Sequence, residues 1–425
     1  MTYLDWASTS PPDLGLLVEA AELAARSYGN PSSRHGPGQE ARAALDAARA
    51  RLGAVLGCPP GAAGGAPGGA GSGGAGSGGA VSGGAPGGAG SSGAGRVVFT
   101  SGGSEADAIV LLAALRKRLA ARSGAVHVVA SSIEHSAVYE ELRLLEGLGL
   151  EASFVDPGPD GLLSPASVAG AMRKETALVA VMAVNNETGA VQPIAAIAKA
   201  VQEASKALGR RAAPHLHSDA VQALGKLPFE PAALGLSSAA FSAHKLRGPR
   251  GAGALWLGAP LEPLQVGGGQ EGGLRPGTES LQGAHAFSRA AESADAALEA
   301  NLAHARTLEA RLLDGLARIP GALALPLGRT AGDGRYSPFI LSAAFPGLSG
   351  EVLARALADE GIAVSTGAAC SANARKKGRR VLEAMGLEEG LGFSAIRVST
   401  GPATAPEEID RFLETADALY RRLKT

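Results

Sequence analysis

Short apolar runs that alternate with helical stretches dominate the hydrophobic pattern after residue 95. Several runs are apolar on both faces, which is typical of strands in a mostly parallel sheet covered by helices. The predicted strands are Val97–Phe99, Val126–Ala130, Ala177–Val184, His215–Asp219, Ala239–Ser242 and Ala252–Leu257. Upstream, Gly38–Leu56 has apolar residues on one stripe at helical spacing, so we predict an amphipathic helix there.

The pattern changes after about residue 263. A long Ala/Glu/Arg-rich stretch, roughly Ala284–Arg318, predicts a helix, and a smaller α+β section ends in a helix over 405–423. Thr404-Ala405-Pro406-Glu407 predicts a capping box at the start of that last helix. We therefore predict a large α/β domain over 14–262 and a small domain from 1–13 plus 263–425.

Residues 61–95 interrupt the large domain. They contain only Gly, Ala, Ser, Pro and one valine, a composition that cannot bury a core and predicts a disordered insertion. Lengthening a short link to this size costs only about 1.7 kcal/mol of closure entropy, so the fold should tolerate it.

Bulk composition excludes several classes of function. The chain is 45% hydrophobic and 19% charged with a net charge of −1, so nothing favours nucleic acid or an anionic membrane as partner. No apolar run reaches the roughly 18 residues of a membrane span, and the first residues lack signal-peptide features. Two cysteines, Cys58 and Cys370, are too few for a disulfide framework. We expect a cytoplasmic protein.

Lys245 lies in a Gly/Pro-rich turn directly after a predicted buried strand. Ligands of open α/β sheets bind outside the carboxyl ends of strands, and a partly desolvated lysine there can act as a Schiff-base amine. Asp219 ends another strand, where a carboxylate could keep a pyridine ring nitrogen protonated. The turn Thr100-Ser101-Gly102-Gly103-Ser104 begins a helix and is suited to bind a phosphate.

Ten motifs in one order give the chain a resemblance to the cysteine desulfurases of the NifS/IscS type, in the class V aminotransferase branch of pyridoxal-phosphate enzymes. They lie between Gly29 and Ser399 and include Gly29-Asn30-Pro31-Ser32-Ser33, Thr100-Ser101-Gly102, Ile133-Glu134-His135, Asn185-Asn186-Glu187-Thr188-Gly189, Ser218-Asp219-Ala220-Val221-Gln222, Ser242-Ala243-His244-Lys245, Arg275-Pro276-Gly277-Thr278 and Gly367-Ala368-Ala369-Cys370-Ser371. The resemblance implies a PLP-dependent transferase fold of the aspartate aminotransferase type, with a mostly parallel seven-stranded sheet and a smaller α+β domain.

The resemblance also implies roles for individual residues around pyridoxal 5'-phosphate. Lys245 would hold the cofactor covalently, Asp219 would pair with the ring nitrogen, Gln222 would bond the ring oxygen, and His135 would stack on the ring. The remaining roles are phosphate binding by Gly103, Ser104, Ser242 and His244, with Thr278 reaching the phosphate of the neighbouring subunit in a homodimer. Arg397 would clamp the substrate carboxylate, and Asn186 would lie beside cofactor and substrate.

Cys370 is followed by the basic run Arg375-Lys376-Lys377-Gly378-Arg379-Arg380, whose cations would favour a thiolate. The resemblance implies that this thiolate removes sulfur from L-cysteine, releasing L-alanine, and passes it to an acceptor protein. An iron–sulfur scaffold, or another thio-cofactor pathway, would receive the sulfur. We assign no catalytic role to Cys58.

Two departures from the family pattern lie at Trp6, which we expect near the substrate pocket, and at Gly272, where the family usually has arginine. A selenocysteine lyase or an aminotransferase of the same branch remains an alternative, although Cys370 argues against a plain aminotransferase. A non-catalytic protein that kept the fold is the third possibility, but a degenerate copy should have lost one of the residues named above.

Overall fold

The computed structural model describes residues 1–59, 95–120, 124–367 and 379–424. The described helices are α1 Leu14–Arg26, α2 Gly36–Val55, α3 Gly103–Ala120, α4 Ser136–Glu146, α5 Pro165–Gly170, α6 Ile194–Ala207, α7 Leu281–Ala296, α8 Leu298–Leu316, α9 Gly350–Asp359, α10 Arg380–Ala384, α11 Glu389–Phe393 and α12 Pro406–Leu423. The strands are β1 Thr2–Tyr3, β2 Arg96–Thr100, β3 His127–Ser131, β4 Glu151–Val155, β5 Thr176–Ala180, β6 His215–Asp219, β7 Ser238–Ser242, β8 Gly253–Leu257, β9 Leu323–Leu325, β10 Ile340–Ala344, β11 Ile362–Ala363 and β12 Ala395–Ser399.

Seven strands form the large sheet, in the order β2-β8-β7-β6-β5-β3-β4. Only β8 runs antiparallel to its neighbours, so the carboxyl ends of the other six strands meet at one edge. The central strands are apolar because helices cover both faces. All six predicted strands are confirmed within a few residues. The missed strand, β4, lies at the sheet's edge and is only partly buried, so it lacks a continuous apolar run.

Two layers of helices bury the faces of this sheet. On one face α2, α6 and α7 pack with side chains such as Leu45, Ile197 and Phe287. On the other face α3 and α4 contribute side chains such as Leu111 and Leu142. This arrangement confirms the predicted α/β class with its mostly parallel seven-stranded sheet.

A smaller unit packs α8, α9 and α12 against the antiparallel sheet β12-β10-β9. The N-terminal strand β1 pairs with β11, which joins the first residues of the chain to this unit. The predicted single helix over Ala284–Arg318 is wrong, because α7 ends before Ala297 and α8 begins after it. Helix α7 packs on α1 and α2, with the core of the large sheet. The predicted division at residue 262 stays a prediction.

The start of α12 also differs from its predicted capping box. Ala405 is the N-cap residue, and Glu408 Oε2 accepts a hydrogen bond from its backbone N–H at 2.9 Å. The Thr404 hydroxyl instead accepts from Gly401 N–H at 3.0 Å, within the preceding turn. The sequence pattern therefore located the helix start one residue too early. Across the described ranges, no helix is both long and apolar enough to span a bilayer.

Candidate active site

A cavity of about 340 Å³ lies at the edge where the carboxyl ends of the strands meet; we call it the sheet-edge cavity. His135 follows β3, Asn186 follows β5, and Asp219 ends β6. Lys245 follows β7 in a single turn of 3-10 helix. The parallel topology therefore brings together side chains that are far apart in sequence, at the place where α/β sheets bind ligands.

Lys245 points toward the N-terminal segment of the chain. Its Nζ donates to the backbone oxygens of Ala7 at 2.7 Å and Ser8 at 2.6 Å. Ser10 Oγ in turn donates to Lys245 O at 2.8 Å, so the first ten residues hold the lysine from two sides. The amine is thus fixed beside the cavity by backbone carbonyls, which can release it without leaving a buried charge unpaired.

Asp219 is almost fully buried, and its Oδ1 accepts from Val221 N–H at 3.0 Å. Burial raises the pKa of its carboxyl group, while His135 and Lys245 act in the opposite direction. The His135 imidazole caps α4 by accepting from Ala137 N–H at 3.1 Å, and burial lowers its pKa. An imidazole whose protonation is disfavoured by burial and a buried carboxyl group therefore share the cavity, an arrangement that suits a ring-stacking group and a partner for a cationic ring nitrogen.

Two further buried acids face the same cavity, and the sequence did not single them out as site residues. Burial raises the pKa of Glu134 to about 8, and its Oε1 accepts from Met182 N–H at 2.8 Å. Burial together with the Asp219 and Glu134 charges raises the pKa of Asp107, which bonds His217 Nε2 at 3.0 Å. The charge of Asp219 raises the pKa of both Asp107 and Glu134, so this group of acids favours binding of a cation. Glu134 lies in the Ile133-Glu134-His135 motif. Asp107 lies in α3, the helix that follows the turn predicted to bind phosphate.

The N-terminus of α3 forms one end of the cavity. A side-chain carbon on Gly103 would lie 2.6 Å from the Val221 side chain, so only glycine lets this helix approach β6 so closely. Ser104, Ser242 and His244 line the same recess, together with Arg250, which the sequence analysis missed because it lies outside the quoted motifs. Helix N–H groups, two hydroxyls and a guanidinium are donors that suit a phosphate.

His244 is neutral in this recess. Burial and the charges of Lys245, Lys226 and Arg250 lower its pKa to about 4. Its Nδ1 lies 3.1 Å from Thr9 Oγ1. Gln222 is engaged as well: its Nε2 donates to Ala7 O at 2.9 Å, and its Oε1 accepts from Lys226 Nζ at 2.6 Å. A primary amide has a second N–H, so Gln222 can still donate to a ring oxygen.

Arg397 reaches the cavity from β12 of the smaller unit. Its Nη2 donates to Asp5 Oδ1 at 2.8 Å and to Ser8 Oγ at 2.6 Å, and Nη1 donates to Asn186 O at 2.8 Å. Among the described residues, its buried Nε has no hydrogen-bond partner. Asp5 therefore orients the guanidinium, and Nε is a donor that an incoming carboxylate would satisfy.

Cys370 lies outside the described residues, but the chain enters and leaves its segment at the cavity. Gly367 and Arg380 both line the sheet-edge cavity. Arg380 Nη2 donates to Glu134 O at 2.5 Å, and the guanidinium lies 4.0 Å from the Tyr139 ring centroid. Thr278 is exposed and does not line the cavity, so its predicted reach into a neighbouring subunit stays a prediction.

The second cysteine and the two family departures do not line the cavity. Cys58 packs partly buried beside Gly53, and burial raises the pKa of its thiol. Trp6 is buried against Gly401, although the adjacent Ala7 and Ser8 line the sheet-edge cavity, so its predicted influence on the substrate pocket stays a prediction. A side-chain carbon at Gly272, where φ is +65°, would lie 2.8 Å from Arg96 Nη1. Arg96 therefore fills space that a side chain at residue 272 would need.

Comparison with known proteins agrees with this architecture. The class-V aminotransferase family profile matches residues 90–412. A cysteine desulfurase IscS of Anaeromyxobacter sp. (strain K) is 32% identical over 99% of this chain and 93% of its own length. A solved NifS-like protein superposes with a TM-score of 0.81 at 29% identity, covering 99% of this chain and 100% of its own. SspA in complex with cysteine gives a TM-score of 0.71 at 26% identity, covering 95% of this chain and 100% of its own. These matches confirm the resemblance drawn from the sequence motifs.

Proposed function

Because the chain belongs to the class-V aminotransferase family, we propose that it is a pyridoxal 5'-phosphate-dependent cysteine desulfurase, converting L-cysteine to L-alanine and retaining the sulfur on Cys370. Enzymes of this family depend on pyridoxal phosphate. The observation that carries the proposal is the convergence of Lys245, Asp219 and Arg397 on a cavity where the Cys370 segment begins and ends.

The donor set of the cavity fits the cofactor. The α3 N-terminus, Ser104, Ser242, His244 and Arg250 suit its phosphate, and the group of buried acids around Asp219 suits a protonated ring nitrogen. Lys245 would hold its aldehyde carbon, with His135 on the ring face and Gln222 at the ring oxygen. When bound, pyridoxal phosphate supplies an electron sink for charge that develops at the substrate α-carbon.

The chain's own groups position the substrate and move its protons. Arg397 binds the substrate carboxylate while Asp5 holds the guanidinium in place. Asn186 lines the cavity beside it. Lys245 Nζ, once displaced by the substrate amine, carries the α-proton. Ala7 and Ser8 offer it backbone acceptors while it is protonated.

Cys370 receives the sulfur. Its thiolate attacks the substrate sulfur, so that an S–S bond forms and the Cβ–S bond of the substrate breaks. The electron pair of the broken bond stays with the carbon skeleton, which takes up protons and leaves as L-alanine. Cys370 is three residue steps from Gly367, which span at most about 11 Å when extended, so the thiol can reach the cavity.

The persulfide would pass its sulfur to an acceptor protein, either an iron–sulfur scaffold or a component of another thio-cofactor pathway. A homodimer is proposed from the family resemblance, in which exposed Thr278 would reach the phosphate of the neighbouring subunit. A reducing compartment would keep the Cys370 thiol free, so we propose the cytoplasm as the location.

An assay for alanine and sulfide from L-cysteine, with dithiothreitol as acceptor, tests the function. We expect wild type and Cys58→Ala to turn over alike, since Cys58 lies away from the cavity. We expect Cys370→Ala to bind the cofactor but lose turnover. Unchanged activity in Cys370→Ala would refute the persulfide route, and an inactive wild type with bound cofactor would refute the desulfurase itself.

A further inference from the structure

A second cavity of about 150 Å³ adjoins the first, and Lys245 lies in the wall of both. Its polar lining includes Asp13, Lys226, Arg247 and Thr400. Its apolar lining comes from side chains on the N-terminal segment, α1, α7 and the small unit, among them Trp6, Leu16, Ala294 and Phe339. The cavity therefore lies where the two units of the chain meet, outside the candidate active site.

Two buried polar groups in the wall of this cavity, a hydroxyl and an amine, have hydrogen-bonding capacity that a ligand could use. Thr400 is 5% exposed, and its Oγ1 has no hydrogen-bond partner among the described residues. Lys226 is 7% exposed, and its Nζ donates to Gln222 Oε1 at 2.6 Å, which uses one of three N–H donors. An unpaired buried hydroxyl and a buried amine are each costly, and an acceptor placed between them would relieve both costs.

The charges around Lys226 favour an anion. The charged groups that act on its amine are the cations Lys245 and Arg397, and burial with these cations lowers the pKa of Lys226 to about 7. Asp13 and Arg247 lie 3.9 Å apart at the same cavity and offset each other. An incoming negative charge would favour the ammonium form of Lys226.

We propose that the second cavity binds a small aliphatic carboxylate, whose charged end meets Lys226 and Thr400 and whose apolar end packs on Trp6 and Phe339. At about 30 Å³ for each water, the cavity has room for about five waters, or a ligand of roughly that many heavy atoms. Free short-chain acids and small amino acids share this chemistry.

Hydrogen bonds connect the wall of the second cavity to the candidate active site. Lys226 bonds Gln222, which lines the sheet-edge cavity and bonds Ala7 O. Ala7 O also accepts from Lys245 Nζ. A carboxylate that draws Lys226 away from Gln222 therefore perturbs Gln222 directly, and Lys245 through a chain of three hydrogen bonds.

Tryptophan fluorescence gives a direct test, since the chain has two tryptophans and Trp6 lines the cavity. The holoenzyme carrying Trp256→Phe reports on Trp6 alone, and the holoenzyme carrying Trp6→Phe is the matched control. Titration with propionate should change the Trp6 signal saturably and leave the control unchanged. Calorimetry on the wild-type holoenzyme gives the same affinity without any substitution.

Variants locate the ligand. Lys226→Met and the isosteric Thr400→Val should each weaken propionate binding, Lys226→Met by about tenfold or more. Arg397→Gln should leave the affinity within about twofold. Loss of binding in Arg397→Gln would overturn the proposal, because the ligand would then lie in the sheet-edge cavity. Unchanged binding in Lys226→Met, or no binding by wild type, would overturn it as well.

Two more ligands define the chemistry. L-Alanine that binds and competes with propionate would identify small amino acids as a source of the carboxylate, and binding by propionate alone would identify free acids. Inorganic phosphate that competes equally well would overturn the assignment to carboxylates, since the apolar wall would then contribute nothing.

Discussion

The two cavities that share Lys245 are built in different ways. The sheet-edge cavity takes its polar groups from segments that directly follow parallel strands, such as Asp219 after β6 and His135 after β3. The second cavity takes small groups of residues from several distant segments, such as those that contain Asp13, Lys226 and Thr400. Parallel topology places most polar groups of the first cavity, with Arg397 added from the small unit, whereas the second is lined by segments of both units throughout.

The largest difference between the two cavities is expected when each of their lysines is substituted in turn. Lys245→Ala should lower turnover by roughly 10⁴-fold or more, because both the covalent hold and the proton carrier are lost. Lys226→Met should retain the covalent cofactor. The measurement is cofactor that stays attached after borohydride reduction and denaturation; attachment in Lys245→Ala would show that another lysine holds it.

The carboxyl groups of the sheet-edge cavity can be distinguished next. Asp219→Asn should lower turnover by about 10²-fold or more, since a neutral amide cannot stabilise a protonated ring nitrogen. Asp107→Asn, in the same cavity but bonded to His217, should cost less than about tenfold. Comparable losses in steady-state assays of the two variants would contradict the assignment of the ring nitrogen to Asp219.

A smaller effect is expected at the substrate carboxylate. Arg397→Lys should raise KM for L-cysteine by about 10- to 100-fold with a smaller change in kcat, because an ammonium cannot bond Asp5 and a carboxylate in the same planar geometry. Arg311→Lys, in an exposed ion pair with Asp410, is the control and should change neither constant. A lower kcat at unchanged KM would show that Arg397 acts in the chemical step instead.

The smallest effect concerns pH and the second cavity. Burial lowers the pKa of Lys226 to about 7, so the ammonium that binds a carboxylate is present below pH 7 and lost above it. Propionate affinity should therefore fall about tenfold between pH 6 and pH 8. The charged or titratable groups that face Lys226 are Lys245, His244, Arg397, Asp13 and Arg247. A pH-independent affinity in fluorescence titrations would exclude Lys226 as the binding group.

The residues of the two cavities also differ in how far the sequence could predict them. Lys245, Asp219 and His135 each follow a buried strand within a recognisable motif, so their convergence followed from parallel topology. Lys226 lies in a loop four residues after Gln222, and nothing in its neighbours indicates burial. Trp6 was expected near the substrate pocket as a departure from the family's opening motif, and only the fold shows that its ring packs against Gly401 in the wall of the second cavity.

Local rules failed where tertiary contacts decided the outcome. The helical periodicity of Ala284–Arg318 continues through Ala297, yet the helix is interrupted at that residue. The reason is that α7 packs on the large unit and α8 on the small one. The Thr404 hydroxyl is of the type that caps helices, but it accepts a hydrogen bond from Gly401 N–H in the preceding turn instead. Arg250 and Asp107 were missed because their roles depend on neighbours that only the fold supplies.

The most direct test of the central claim is the location of the sulfur. Wild-type holoenzyme treated with limiting L-cysteine and no reductant should yield a Cys370 peptide heavier by one sulfur atom, measured by mass spectrometry alongside an equal amount of alanine. The Cys58 peptide should be unmodified. Alanine formed with no added sulfur on Cys370, or with the sulfur on Cys58, would contradict the account.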